Sequence, residues 1–172
     1  MNIENKLFHA VIPYGTKFDK EKMLLLKLES IFKTKKILCR SEIDKIFNYH
    51  NYCAMCFNGY NYISLCEFIK REYDDYVVSR GDDTLCRYPL KSVSIVLNRQ
   101  LFKENRLILD NFRIPFEIQV EGNIDLKYMD AIALPKHLQT DKIFDLIEKY
   151  NIKVPIIEMD IDKLNNVKIL KK

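Results

Sequence analysis

Glycine is scarce in this chain. Four residues stand alone, Gly15, Gly59, Gly81 and Gly122. A Rossmann or P-loop phosphate cradle needs clustered glycines that let backbone amides approach the phosphates, so the sequence argues against both. Cysteine is also sparse and odd in number. Five are scattered through the chain, which has enough length to build a core without staples, so reduced thiols in a cytoplasmic protein are expected. No apolar run approaches the length of a membrane-spanning helix. The first residues, Met1 to Lys6, lack a basic stretch followed by an apolar one, so neither a signal peptide nor a membrane partner is expected. HExxH metal stretches, Ser/His/Asp orderings, internal repeats and low-complexity tracts are absent as well.

What the chain does contain suits one domain over residues 1–172, with a sizeable core. Its hydrophobic and charged fractions are those of an ordinary globular protein. The net charge of +4 permits a nucleic-acid or acidic-protein partner without arguing for one.

The most informative stretch is Phe116 to Gly122. Phe116, Ile118 and Val120 alternate with Glu117, Gln119 and Glu121. A period of two reads as a half-buried strand, so the two carboxylates and the amide share its other face. That face either lines a polar cleft or is solvated near the Glu121-Gly122-Asn123 turn.

Leu7 to Pro13 predicts a first strand, central because it alternates little; from position alone its His9 reads as a core histidine. Lys17 to Lys36 predicts an amphipathic helix through Leu24, Leu25, Leu28, Ile31 and Phe32, N-capped by Asp19. An extended piece, Ile37 to Ser41, carries Arg40 after an apolar triplet. A short helix to Asn48 and an Asn/Tyr-rich loop to Tyr62 follow. Strands are expected at Tyr62–Cys66, Val93–Leu97 and Leu107–Leu109. Asn98 caps a short helix over Arg99 to Lys103. Leu126 to Leu134 reads as a short helix stopped by Pro135, Ile143 to Tyr150 as a helix capped by Thr140, and Val154 to Met159 as an edge strand because of Pro155. The class implied is α+β: a mixed or antiparallel sheet core with a few flanking helices.

Cys53-Ala54-Met55-Cys56, with His50 and Cys66 nearby, has the spacing of half a zinc site. It lacks a second close pair, and a buried thiol at Cys66 is the simpler reading. The aromatic cluster Tyr49, Tyr52, Phe57, Tyr60 and Tyr62 could stack on a base or a nicotinamide, although packing accounts for it more cheaply.

Four pieces resemble one family, in that family's order. They are Phe8-His9-Ala10-Val11; the helix from Leu25 to Phe32 running on to Ile37-Leu38-Cys39-Arg40; Tyr62-Ile63-Ser64-Leu65; and Phe116-Glu117-Ile118-Gln119-Val120 running on to Ile124, Tyr128, Met129 and Ile132. Together they resemble small ADP-ribosyltransferases of the DarT-like branch, the DNA- or protein-modifying toxins and related phage effectors. Thr34-Lys35-Lys36 departs from the pattern where a glycine is usual. The resemblance implies an ADP-ribosyltransferase-like fold, NAD as co-substrate, and a protein or nucleic-acid acceptor. It implies Glu117 as the catalytic carboxylate, with Glu121 as the alternative because Gln119-Val120-Glu121 has the Q-x-E spacing of other ADP-ribosyltransferases. It places His9 at the ribose or nicotinamide, Arg40 on the diphosphate, and Ser64 on the ribose side, with Tyr62 and Gln119 completing the NAD site.

The residue types fit that chemistry independently. Breaking the nicotinamide–ribose bond develops an oxocarbenium-like cation, which a carboxylate stabilises. An arginine fork suits a diphosphate. Two other readings stay open: an inactive domain of the same fold that binds protein or RNA as an inhibitor, and an RNA 2′-phosphotransferase, whose arginine and histidine signatures are missing.

Overall fold

The structure is a computed structural model that describes residues 6–11, 20–39, 41–43, 62–67, 92–105, 107–108, 117–159 and 168–171. Its strands are β1 (Leu7–Val11), β2 (Lys36–Ile37), β3 (Tyr62–Glu67), β4 (Val93–Leu97), β5 (Leu107–Ile108), β6 (Glu117–Glu121), β7 (Ile124–Asp125), β8 (Met129–Pro135), β9 (Ile156–Met159) and β10 (Lys168–Lys171). The two longer helices are α1 (Lys20–Thr34) and α2 (Asp141–Lys149). Eight strands join in the order β10-β9-β8-β4-β1-β3-β6-β5, and β2 pairs separately with β7. Every pair in the large sheet is antiparallel except β8 with β9. The protein is therefore α+β with a mixed sheet, and β1 is interior, as its lack of alternation implies.

One face of the sheet carries the main core. Leu7 and Val11 of β1, Ile63 and Leu65 of β3, Val93, Ile95 and Leu97 of β4, Val120 of β6 and Ile132 and Leu134 of β8 cluster there. They pack with Leu24, Leu28, Ile31 and Phe32 of α1 and with Ile143 and Ile147 of α2. These helix positions recur at the three- and four-residue spacing that lines one stripe. Polar contacts tie the two helices together: Lys149 Nζ and Tyr150 Oη both donate to Glu29 Oε1 at 2.8 Å, and Lys142 Nζ donates to Glu21.

The other face is also buried at its centre. Phe8, Ser94, Val96, Ala131, Ala133 and Ile157 are wholly shielded from solvent. Cover on both faces explains why the central strands show little alternation.

That double cover also explains why Leu126 to Leu134 is not a helix. Residues Leu126–Tyr128 form one 3₁₀ turn, with Asp125 Oδ1 accepting from the Lys127 amide at 2.8 Å. The chain then extends as β8, every residue from Ala131 to Pro135 buried. Apolar residues at 126, 129, 132 and 133 mimic helical spacing, but a strand covered on both sides needs no polar alternation at all. Val154 to Met159 is likewise not an edge. β9 lies between β8 and β10, and Pro155 stands just before the strand, where its missing N–H costs no ladder bond and its carbonyl accepts from Ile132 N at 3.0 Å.

Other local expectations hold in position. Asn98 caps the 3₁₀ helix Arg99–Lys103, its Oδ1 accepting from Gln100 N at 3.1 Å. Thr140 is the N-cap of α2, but it caps with its carbonyl, which accepts from the amides of Ile143 and Phe144, and its hydroxyl makes no cap bond. Helix α1 is shorter than the periodicity suggests at its C-terminal end, where it stops at Thr34 because Lys35 turns into the left-handed region (φ 55°). Asp19, residues 44–48 of the expected short helix, the expected loop at 49–61, Leu109 and Phe116 lie outside the described residues.

Candidate functional site

Strand β6 supplies the polar row. Val120 is wholly buried and Ile118 packs against the main core, so Gln119 and Glu121 leave the strand on the opposite face, where both are half-buried. The backbone of Glu117 lies two residues earlier, with Cys66 as its Cα partner on β3; the side chains of Glu117, Tyr62 and Ser64 lie outside the described residues. Ser64 is the Cα partner of Gln119, and Tyr62 that of Glu121. All five of these sequence-selected positions therefore fall on two adjacent strands.

Register extends that row across the sheet. From Glu117 it runs through Cys66, Phe8, Val96 and Ala131. Ala10 pairs with Ser94, and Ser94 with Ala133. This second face thus combines polar groups on β6, at the penultimate position of the sheet, with small residues over its centre. Small side chains leave room for another layer to approach the strands closely.

His9 does not join this face. It sits between Leu7 and Val11 on β1 and pairs with Ile95 of β4, all three of them main-core residues. Residues two apart share a side of a strand, so the half-buried His9 lies on the helix-covered side, whereas Gln119 and Glu121 lie on the other. This is the position of a core-lining histidine. β1 is also two strands from β6, about 10 Å at the usual strand spacing. The histidine and the polar row are not brought together.

The segment that carries Arg40 is brought to β6. Helix α1 ends at Thr34, and β2 pairs with β7 directly after the β6 turn, Lys36 with Asp125 and Ile37 with Ile124. Leu126 N donates to Lys35 O at 2.9 Å. Cys39 N donates to Asn123 Oδ1 at 2.9 Å, while Asn105 Nδ2 donates to Asn123 O at 3.0 Å. Asn123 stands two residues after Glu121, past Gly122, whose φ of 77° suits glycine. On the far side of residue 40, Glu42 N and Ile43 N both donate to Cys39 O at 3.0 Å, opening a helical turn. Arg40 itself lies outside the described residues.

Sequence reasoning missed two features here. Asn123 is the side chain that fixes this junction, and an asparagine after a glycine signalled only a turn. Ser92 and Ser94 are buried at 3% and 0% exposure, and the Ser-x-Ser alternation before and within β4 was the available signal for a polar stripe.

Cys53, Cys56 and His50 lie outside the described residues, as does the side chain of Cys66. Among the described residues no cluster of histidine, cysteine and carboxylate side chains could hold a metal ion, and no helix is long and apolar enough to cross a membrane. No protein-family model matches the chain, and no curated protein matches it.

Proposed function

We propose that the protein is an NAD-dependent ADP-ribosyltransferase of the cytoplasm, with an ADP-ribosyltransferase-like fold, that passes ADP-ribose to a protein or nucleic acid and releases nicotinamide. The observation that supports this most is the convergence at β6. The strand bearing Glu117, Gln119 and Glu121 pairs with the strand bearing Tyr62 and Ser64, and the Cys39–Asn123 bond ties the segment leading into Arg40 to the same end.

In this reading the Glu117 carboxylate leaves the sheet on the side of Gln119 and Glu121, against the ribose. The nicotinamide–ribose bond breaks with its electron pair leaving on the nicotinamide nitrogen. The carboxylate opposes the cation that develops on the sugar. A nucleophilic atom of the acceptor then bonds to the anomeric carbon and gives up its proton to a carboxylate. Arg40 holds the diphosphate through its forked donors, Ser64 and Tyr62 border the ribose and nicotinamide, and Gln119 orients the acceptor. Glu121, close to the Gly122 turn, is the alternative carboxylate. In this reading His9 takes no role at the ribose, since it alternates with Leu7 and Val11 of the main core.

That placement of His9 favours a second reading, an inactive domain of the same fold that binds a protein or RNA. Incubation with labelled NAD and cell lysate separates the two. Label on a macromolecule with the native chain, lost in Glu117→Gln and kept in His9→Ala, supports the transferase. NAD retained without transfer supports the binding module.

A further inference from the structure

Strands β2 and β7 form a short ladder, Lys36 opposite Asp125 and Ile37 opposite Ile124. Before it, Leu126 N donates to Lys35 O at 2.9 Å in the same register. Past Ile37 and Ile124 the pairing stops. There the chain has just turned out of β6 at Gly122, whose φ is 77°, and a turning backbone does not continue a ladder. A side chain takes over. Asn123 Oδ1 accepts from Cys39 N at 2.9 Å, in the way that short polar side chains stand in for backbone at turns.

The acceptor sits on a fixed base. Asn123 O accepts from Asn105 Nδ2 at 3.0 Å, and Asn105 N donates to Leu101 O at 2.9 Å. Leu101 and Ile124 are both wholly buried. Across the bond Cys39 is buried too, and its carbonyl accepts from the amides of Glu42 and Ile43 at 3.0 Å. Through its N–H Cys39 is thus bound to the end of β6, and through its C=O to the turn that follows.

We propose that Asn123 is a positioning residue for the NAD site: through the Cys39 amide it fixes where the segment bearing Arg40 stands against the β6 carboxylates. The inference rests on the transferase reading and adds to it a residue that acts without touching NAD. A grip on the diphosphate is remote from the bond that breaks, so it is equally strong in bound NAD and in the transition state. Misaligning it weakens NAD binding and leaves the chemical step unchanged.

The test is Asn123→Ala in the full chain. The KM for NAD should rise about three- to tenfold, the worth of one net hydrogen bond, with kcat held within about twofold. The Cys39 amide, followed by hydrogen exchange in NMR, should lose protection while the amides of β4 keep theirs. Adding Asn123→Ala to Arg40→Ala should raise KM no further. A second measurement needs no variant. Saturating NAD should slow exchange at the Cys39 amide of the native chain, because a bond that aids binding becomes harder to open once NAD is bound. An unchanged KM in Asn123→Ala, a loss in kcat alone, a full additional effect in the Arg40→Ala background, or no slowing at Cys39 by NAD would each overturn the inference and leave the transferase reading standing. A native chain that neither binds nor turns over NAD would overturn both.

Discussion

Asn98 joins β4 to β8 where their register slips, between Val96 and Leu97, and its replacement tests how that join is held. Its Oδ1 accepts from Gln100 N at 3.1 Å. Its Nδ2 donates to Tyr128 O and to Asp130 Oδ1, both at 3.1 Å, and its own amide donates to Tyr128 O at 3.0 Å. Asn98→Ala removes the three side-chain bonds. The exposed cap bond is worth about 1 kcal/mol, and the two half-buried bonds about 0.5–1.5 kcal/mol each. Asp130 keeps its ion pair with Lys6, which limits the damage, so a loss of about 2–3 kcal/mol is expected.

Asn98→Asp sharpens the test. The new carboxylate still accepts from Gln100 N, so the cap survives. It cannot donate to Tyr128 O, and it stands against the Asp130 carboxylate. Two carboxylates at that separation hold the new group's pKa above its unfolded value. The folded state then binds more protons than the unfolded one, and stability must fall as pH rises from about 4 toward 7 relative to the parent. Urea unfolding of the parent and both variants across that range reads the effect directly. An aspartate variant as stable as the parent at neutral pH, or a penalty independent of pH, would refute this account of the β4–β8 join.

Other perturbations follow from the same contacts. Leu28 is wholly buried between α1 and the sheet, so Leu28→Ala should cost about 3 kcal/mol by chemical denaturation. Lys35 ends α1 in the left-handed region, so Lys35→Val should destabilise by about 1–2 kcal/mol, whereas Lys35→Gly should not, as midpoint shifts in urea would show. Hydrogen bonds from Lys149 and then Tyr150 hold the Glu29 carboxyl below its ordinary value of 4.5. A depressed folded value means stability present above 4.5 and lost as pH falls through the folded value. At 35% exposure, solvent screening keeps the contribution under about 1 kcal/mol, and Glu29→Gln should flatten that acid limb of the stability curve.

Local pattern made much of this fold legible. The alternation at Ile118 and Val120 identified β6 and its polar side, and the spacing of Leu24, Leu28 and Ile31 identified α1. Asn98 and Thr140 marked real helix starts. β8 was not legible, because burial on both faces erases alternation and leaves an apolar run that also satisfies helical spacing. The interior position of β9 depended on β10, a short lysine-bearing strand with no signal strong enough to compete with Pro155. The candidate site shows the same limit. Which residues of β6 share a side follows from its own period. Which side His9 shares with them depends on the pairing of β1 with β3 and β4, a long-range register absent from any single stretch. The contact of Cys39 with Asn123 bridges residues distant in sequence for the same reason.

The central claim is that a carboxylate on β6 drives loss of nicotinamide from NAD. Its most direct test is the initial rate of nicotinamide release by the native chain, by Glu117→Gln and by Glu121→Gln, with NAD affinity measured in parallel. The account predicts release by the native chain and a fall of about 10²–10⁴-fold in Glu117→Gln with NAD affinity little changed. Release at an undiminished rate from both Glu117→Gln and Glu121→Gln, or none from the native chain, would contradict it.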